Sequence, residues 1–111
     1  MNAASTRTAP VFRALTDAAK LGDNDLIGCY VEELKQRVAI ARIAGQLHAF
    51  DDLYEGYPLS GGLLEGGTTL MSQFDGSRFD VATGAVLRGP ATQAIGIYEV
   101  REQGGRIEVR I

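Results

Sequence analysis

Four side chains in the middle of this 111-residue sequence carry groups that move protons and polarise carbonyls: the Tyr54 phenol, the Glu55 and Asp75 carboxylates and the Ser72 hydroxyl. Tyr57, Phe74 and Met71 lie among them and offer stacking or apolar surface, with Pro90 further along. Asp51-Asp52 adds two carboxylates just ahead of Tyr54. Neighbouring acids raise one another's pKa and attract cations, so a metal site on Asp51, Asp52, Glu55 and Asp75 is conceivable. No recognised ligand spacing supports it, and solvated loop positions are the simpler reading of these acids.

The elements that must position these groups read as short strands punctuated by glycine, of which there are 14. Residues 11–15 suit a first strand, and Asp17 opens a helical turn or bend that ends at Gly22. Residues 26–34 and 37–43 are apolar and β-branched enough for two more strands, and Ala44-Gly45-Gln46 turns the chain into a strand at 47–50. Further strands are expected at 68–71, 77–80, 85–87 and 97–101. The last segment is the clearest, because Ile107, Val109 and Ile111 alternate with Arg106, Glu108 and Arg110. The pattern predicts an all-β sandwich or partly open barrel.

Size and composition narrow the classes further. Residues 1–10 are small and polar and read as a flexible tail, leaving 11–111 as one domain. The net charge of −3, without a Lys/Arg cluster, gives no case for nucleic acid. No apolar run approaches the length that spans a bilayer, and the N-terminus lacks the order of a secretory signal, so a cytoplasmic protein is expected. The one cysteine, Cys29, sits in the apolar stretch 26–31 and reads as structural. The one histidine, His48, alternates with Leu47 and Ala49 and reads as a surface residue.

Two separated motifs add a resemblance. Residues 70–80, Leu-Met-Ser-Gln-Phe-Asp-Gly-Ser-Arg-Phe-Asp, are similar to the C-x-C-H-G-S-x-F-D segment of Rieske-type ferredoxins, and Thr83-Gly84-Ala85-Val86-Leu87-Arg88-Gly89-Pro90-Ala91 to that family's T-G-x-x-L-x-G-P-A. Pro58-Leu59-Ser60-Gly61-Gly62 resembles the second half of the other family loop, C-T-H-x-x-C-P-L-S-G-G. The likeness covers roughly residues 37–111. It implies a Rieske-like fold of three stacked antiparallel sheets, with the two loops at one end.

The ligand positions of the family do not carry ligands here. Ser72 and Asp75 stand where one cysteine and one histidine would be. In the other loop, ungapped counting puts Asp52 and Tyr54 at the ligand positions, while aligning the preceding strand makes the loop two residues shorter. The resemblance also places Tyr57 and Phe74 where some members carry an extra disulfide, so the two rings are expected to pack together. A Rieske centre needs two thiolates and two imidazoles. The sequence therefore predicts a cluster-free member with no cofactor and no metal.

What the resemblance implies for function is then a choice. One expectation is that the vacated end is a small-molecule site for a cofactor-independent cyclase or isomerase of biosynthesis. Asp75, Glu55 and Tyr54 would then be catalytic, and Tyr57, Ser72, Phe74, Met71 and Pro90 would hold an organic substrate. The alternative is a non-catalytic docking subunit of an oxidoreductase complex, meeting a partner protein at that end. A third reading is an engineered or decayed ferredoxin with no activity. An open gap lined by Tyr54, Glu55 and Asp75 would favour the enzyme, and a plugged one the docking module.

Overall fold

The computed structural model describes residues 9–111, so most of the expected tail, residues 1–8, lies outside the described residues; Ala9 and Pro10 are exposed and without regular structure. The described residues form short strands joined by turns, with three 3-10 turns and no α-helix. In chain order the strands are β1 (Phe12–Asp17), β2 (Leu26–Val31), β3 (Gln36–Ile43), β4 (Gln46–Asp51), β5 (Leu53–Tyr54), β6 (Tyr57–Pro58) and β7 (Leu63–Gly66). They continue as β8 (Thr69–Met71), β9 (Arg78–Asp80), β10 (Val86–Arg88), β11 (Ile97–Tyr98), β12 (Val100–Gln103) and β13 (Arg106–Arg110).

Alternation along β3 sets the layering. Val38 and Ile40 point to one side, into a core with Ala49, Leu21, Ile107 and Val109. Ala39, Ala41 and Ile43 point to the other, into a core with Phe50, Leu70, Phe79 and Val81. A strand that is apolar on both faces belongs in the middle of a stack. Accordingly the sheet β11-β4-β3-β2 lies between a three-stranded sheet, β1-β13-β12, and a four-stranded one, β10-β9-β8-β7, with all pairs antiparallel. This is the expected all-β architecture of three main sheets, to which β5 and β6 add a separate two-stranded ribbon.

Two strand boundaries differ from expectation. The strand read over 26–34 stops at Val31, and Glu32–Leu34 form a 3-10 turn instead. Val31 is buried, and two consecutive acids after it would have put one carboxylate on the core face. The strand read over 97–101 breaks at Glu99. Ile97 and Tyr98 pair with β4, whereas Val100 onward pairs with β13, so the chain passes from one sheet to the next.

Candidate functional site

The first family-like loop has become a tight hairpin. Tyr54 and Tyr57 are cross-strand partners in the β5–β6 ribbon, leaving only Glu55 and Gly56 to make the turn. Their φ values of 52° and 81° are both positive, the signature of a type I′ turn that matches the twist of its strands. Glycine takes this conformation without cost, while Glu55 pays a small steric penalty at the exposed apex.

The second loop folds on itself. Its ends are joined by Ser72 N–H to the Ser77 carbonyl (2.8 Å) and Gly76 N–H to the Ser72 carbonyl (3.0 Å). The Ser72 hydroxyl accepts from Phe74 N–H at 3.1 Å, and the Asp75 carboxylate accepts from Ser77 N–H at 3.0 Å. The buried Ser77 hydroxyl accepts from Ala91 N–H at 2.9 Å, which ties residues 89–91 to this loop.

Aromatic rings close the space between the loops. The Tyr57 ring stacks on Phe74 with centroids 4.4 Å apart and an interplanar angle of 15°, as expected from their positions. Tyr54 meets Phe74 edge-on at 6.1 Å and the core residue Phe79 at 5.2 Å. Its hydroxyl donates to Asp75 Oδ2 at 2.6 Å and lies 3.4 Å from Ser77 Oγ. The bond to Asp75 raises the Tyr54 phenol above its ordinary range. For Asp75, desolvation pushes the carboxyl up, but the bonds from Tyr54 and Ser77 prevail and hold it below the usual range.

Of the expected site residues, Tyr54, Tyr57, Phe74, Asp75 and Ser72 are thus brought together as a plug. Glu55 is exposed at the hairpin apex. Pro90 lies with Asp51, Tyr54, Glu55 and Gln93 along a cleft of about 440 Å³. Met71 is the last residue of β8, paired with Leu63 and Arg78. Tyr57, Pro58, Gly61, Gln73 and Phe74 line a surface groove. Leu53, Tyr57 and Phe74 are respectively 50%, 53% and 46% exposed, so the end presents apolar surface to the outside.

Asp51 and Asp52 depart from the solvated reading. Asp52 is fully buried, and its carboxylate accepts from Arg37 Nη2 (2.8 Å) and Nε (3.2 Å), Ser60 N–H (2.6 Å) and Ser60 Oγ (2.9 Å). Four donors offset the desolvation of this charge and pin the start of the first loop to its end. Asp51 instead accepts from the Tyr98 hydroxyl, which is bonded to Gln36 as well. Burial, with Asp51 beside it, raises the Tyr98 phenol. Sequence reasoning missed Arg37 and Ser60. The one available signal was Gly28, a glycine inside a strand: a Cβ there would come within 2.5 Å of Asp52 Oδ2 and Ser60 Oγ and 2.7 Å of Arg37 Nη2.

The side chains present do not fit a Rieske centre. The chain offers one thiol and one imidazole, and these lie on β2 and β4 rather than on the loops. Burial and then the Asp52 charge raise the Cys29 thiol, which disfavours the thiolate a metal requires. Burial lowers His48, with Asp80 opposing. Among the described residues no group of three or more His, Cys, Asp or Glu side chains is arranged to hold a metal ion. Nor is any helix among them long and apolar enough to cross a membrane.

Comparison with known proteins turns on the same fold. No family model matches the chain. It is 33% identical over 92 residues to the ferredoxin component of a naphthalene 1,2-dioxygenase system from Pseudomonas aeruginosa, covering 81% of this chain and 86% of that one. Among solved structures, the Sphingomonas yanoikuyae B1 ferredoxin superimposes with a TM-score of 0.82 at 25% identity, over 91% of this chain and 99% of the ferredoxin. A complex of reduced oxygenase and oxidized ferredoxin in carbazole 1,9a-dioxygenase contains a chain that matches with a TM-score of 0.80 at 24% identity, over 90% of this chain and 93% of that one.

These relatives overturn the cyclase or isomerase reading, because they are ferredoxin components rather than enzymes acting on an organic substrate. The geometry gives Tyr54 and Asp75 another role: their side chains are bonded to each other across the two loops, and Tyr54 meets the Phe74 ring edge-on. The catalytic roles expected of Asp75, Glu55 and Tyr54 and the substrate roles expected of Tyr57, Ser72, Phe74, Met71 and Pro90 rested on that reading and are not proposed again. The 33% identity and the agreement of fold establish that the chain belongs to the Rieske-type ferredoxin family.

Proposed function

We propose that this chain is a non-catalytic docking subunit of an oxidoreductase system, meeting its partner protein through the two plugged loops. The observation that carries the reading is the Tyr57–Phe74 stack, an aromatic pair packed face to face yet about half exposed, with Leu53 adding apolar surface. Rings of this kind, fixed before contact, lose little freedom on association and serve as anchors in protein interfaces. Membership of a family whose relatives work beside oxygenases supports a partner of that type. The proposal keeps the cytoplasmic location and single domain expected from the sequence, and it includes no small-molecule substrate.

The test is a backbone-amide NMR titration with the oxygenase and, separately, the reductase of a naphthalene 1,2-dioxygenase system. Docking through the loop end requires shifts concentrated at residues 53–58, 72–76 and 90–94. Shifts confined to the β1-β13-β12 sheet, or none with either component, would refute it.

A further inference from the structure

The docking surface and the donor set point in opposite directions, and together they define an activity. The docking surface is a built one. Tyr57 and Phe74 are stacked, Tyr54 is bonded to Asp75, and Asp52 joins both ends of the first loop to Arg37, so the end is preformed for contact. Its charge also selects the occupant. Glu55 is exposed at the apex of the hairpin that carries Tyr57, the Asp75 carboxylate lies part-exposed beside Phe74 with its bonds from Tyr54 and Ser77, and neither is in an ion pair among the described residues. A face that is apolar at its centre and basic at its rim complements them.

The donor set, by contrast, supplies nothing that could accept an electron as a ferredoxin does. One half-buried thiol with a raised pKa and one imidazole on separate strands cannot assemble a two-thiolate, two-imidazole centre. A chain that seats on an oxygenase's ferredoxin-binding face without carrying electrons holds that face closed. Resting on the docking reading above, we infer that this protein is a competitive blocker of electron delivery, which occupies the ferredoxin site of a dioxygenase-type oxygenase in place of a cluster-bearing ferredoxin.

Turnover by reconstituted naphthalene 1,2-dioxygenase and carbazole 1,9a-dioxygenase systems tests this, with their own ferredoxins varied and the chain added at fixed concentrations. Direct binding to each oxygenase is measured in parallel. Competition requires the apparent KM for ferredoxin to rise about twofold when the chain is present at its own Kd, with kcat unchanged. Phe74→Asp, checked for folding by its Tm, should need about tenfold more protein for the same rise. Binding with undiminished turnover, or a fall in kcat at constant KM, would overturn the blocking role while leaving docking intact. No binding to either oxygenase would overturn the docking reading as well.

Discussion

The Tyr54 hydroxyl reaches across from the first loop to bond Asp75 of the second at 2.6 Å, joining two segments 21 residues apart in sequence. Because the bond involves an ionised acceptor, its contribution depends on pH. The folded Asp75 carboxyl is held below its unfolded value of about 3.9, so its stabilisation is complete above that pH and disappears as pH falls through the lower folded value. The Tyr54 phenol is raised above about 10, so its part is complete below that pH and is lost as pH rises through the folded value. The Tm advantage over Tyr54→Phe should be constant from about pH 5 to 9 and shrink toward both extremes. An advantage that grows on acidification would contradict the assignment.

The Tyr57–Phe74 stack should behave as a coupled pair. A double-mutant cycle with Tyr57→Ala and Phe74→Ala is expected to give a coupling of about 0.5–1.5 kcal/mol from urea denaturation. Additive effects would mean that the two rings do not support each other in solution.

Buried charge makes the Asp52 cluster the most sensitive point of the site. Arg37→Leu leaves the carboxylate with Ser60 as its only side-chain donor and should lower unfolding free energy by about 3 kcal/mol. Gly28→Ala pushes a methyl group into the same cluster and should destabilise too, which a thermal melt would show. Retention of wild-type Tm by both variants would remove the cluster from the account of how the loop is held.

Iron chemistry gives a direct check on the donor set. Protein purified from iron-replete cells should be colourless, and incubation with ferrous iron and sulfide under reducing conditions should leave no chromophore after desalting. A bound species with about two irons per chain would show that the missing ligands had been supplied in some other way.

Strands with strict alternation were legible in the sequence because the period of two is imposed by the sheet itself: β13 and the β3–β4 hairpin fall where Ile107, Val109 and the Ala44-Gly45 turn place them. The Tyr57–Phe74 contact was legible only through the family resemblance, since nothing local links residues 17 positions apart. The Asp52 cluster was not legible. Arg37 and Ser60 reach Asp52 from a neighbouring strand and from across a loop, and sequence gives no register between such segments. The catalytic reading was overturned by the relatives, and the residues show why it was tempting: a phenol and a carboxylate are groups of acid–base chemistry, but Tyr54 and Asp75 also tie two loops together.

The two-residue turn at Glu55-Gly56 has a consequence for how the protein comes into being. Such a ribbon closes by contacts between residues close in the chain, and the end is then completed by side-chain contacts to Arg37, Phe74 and Asp75, all from the polypeptide itself. A relative that must receive iron and sulfide before it can work has its supply tied to the cell's metal status. On the docking reading proposed above, the loop end is completed by the chain's own side chains, so the supply of docking-competent protein follows synthesis and degradation rather than iron.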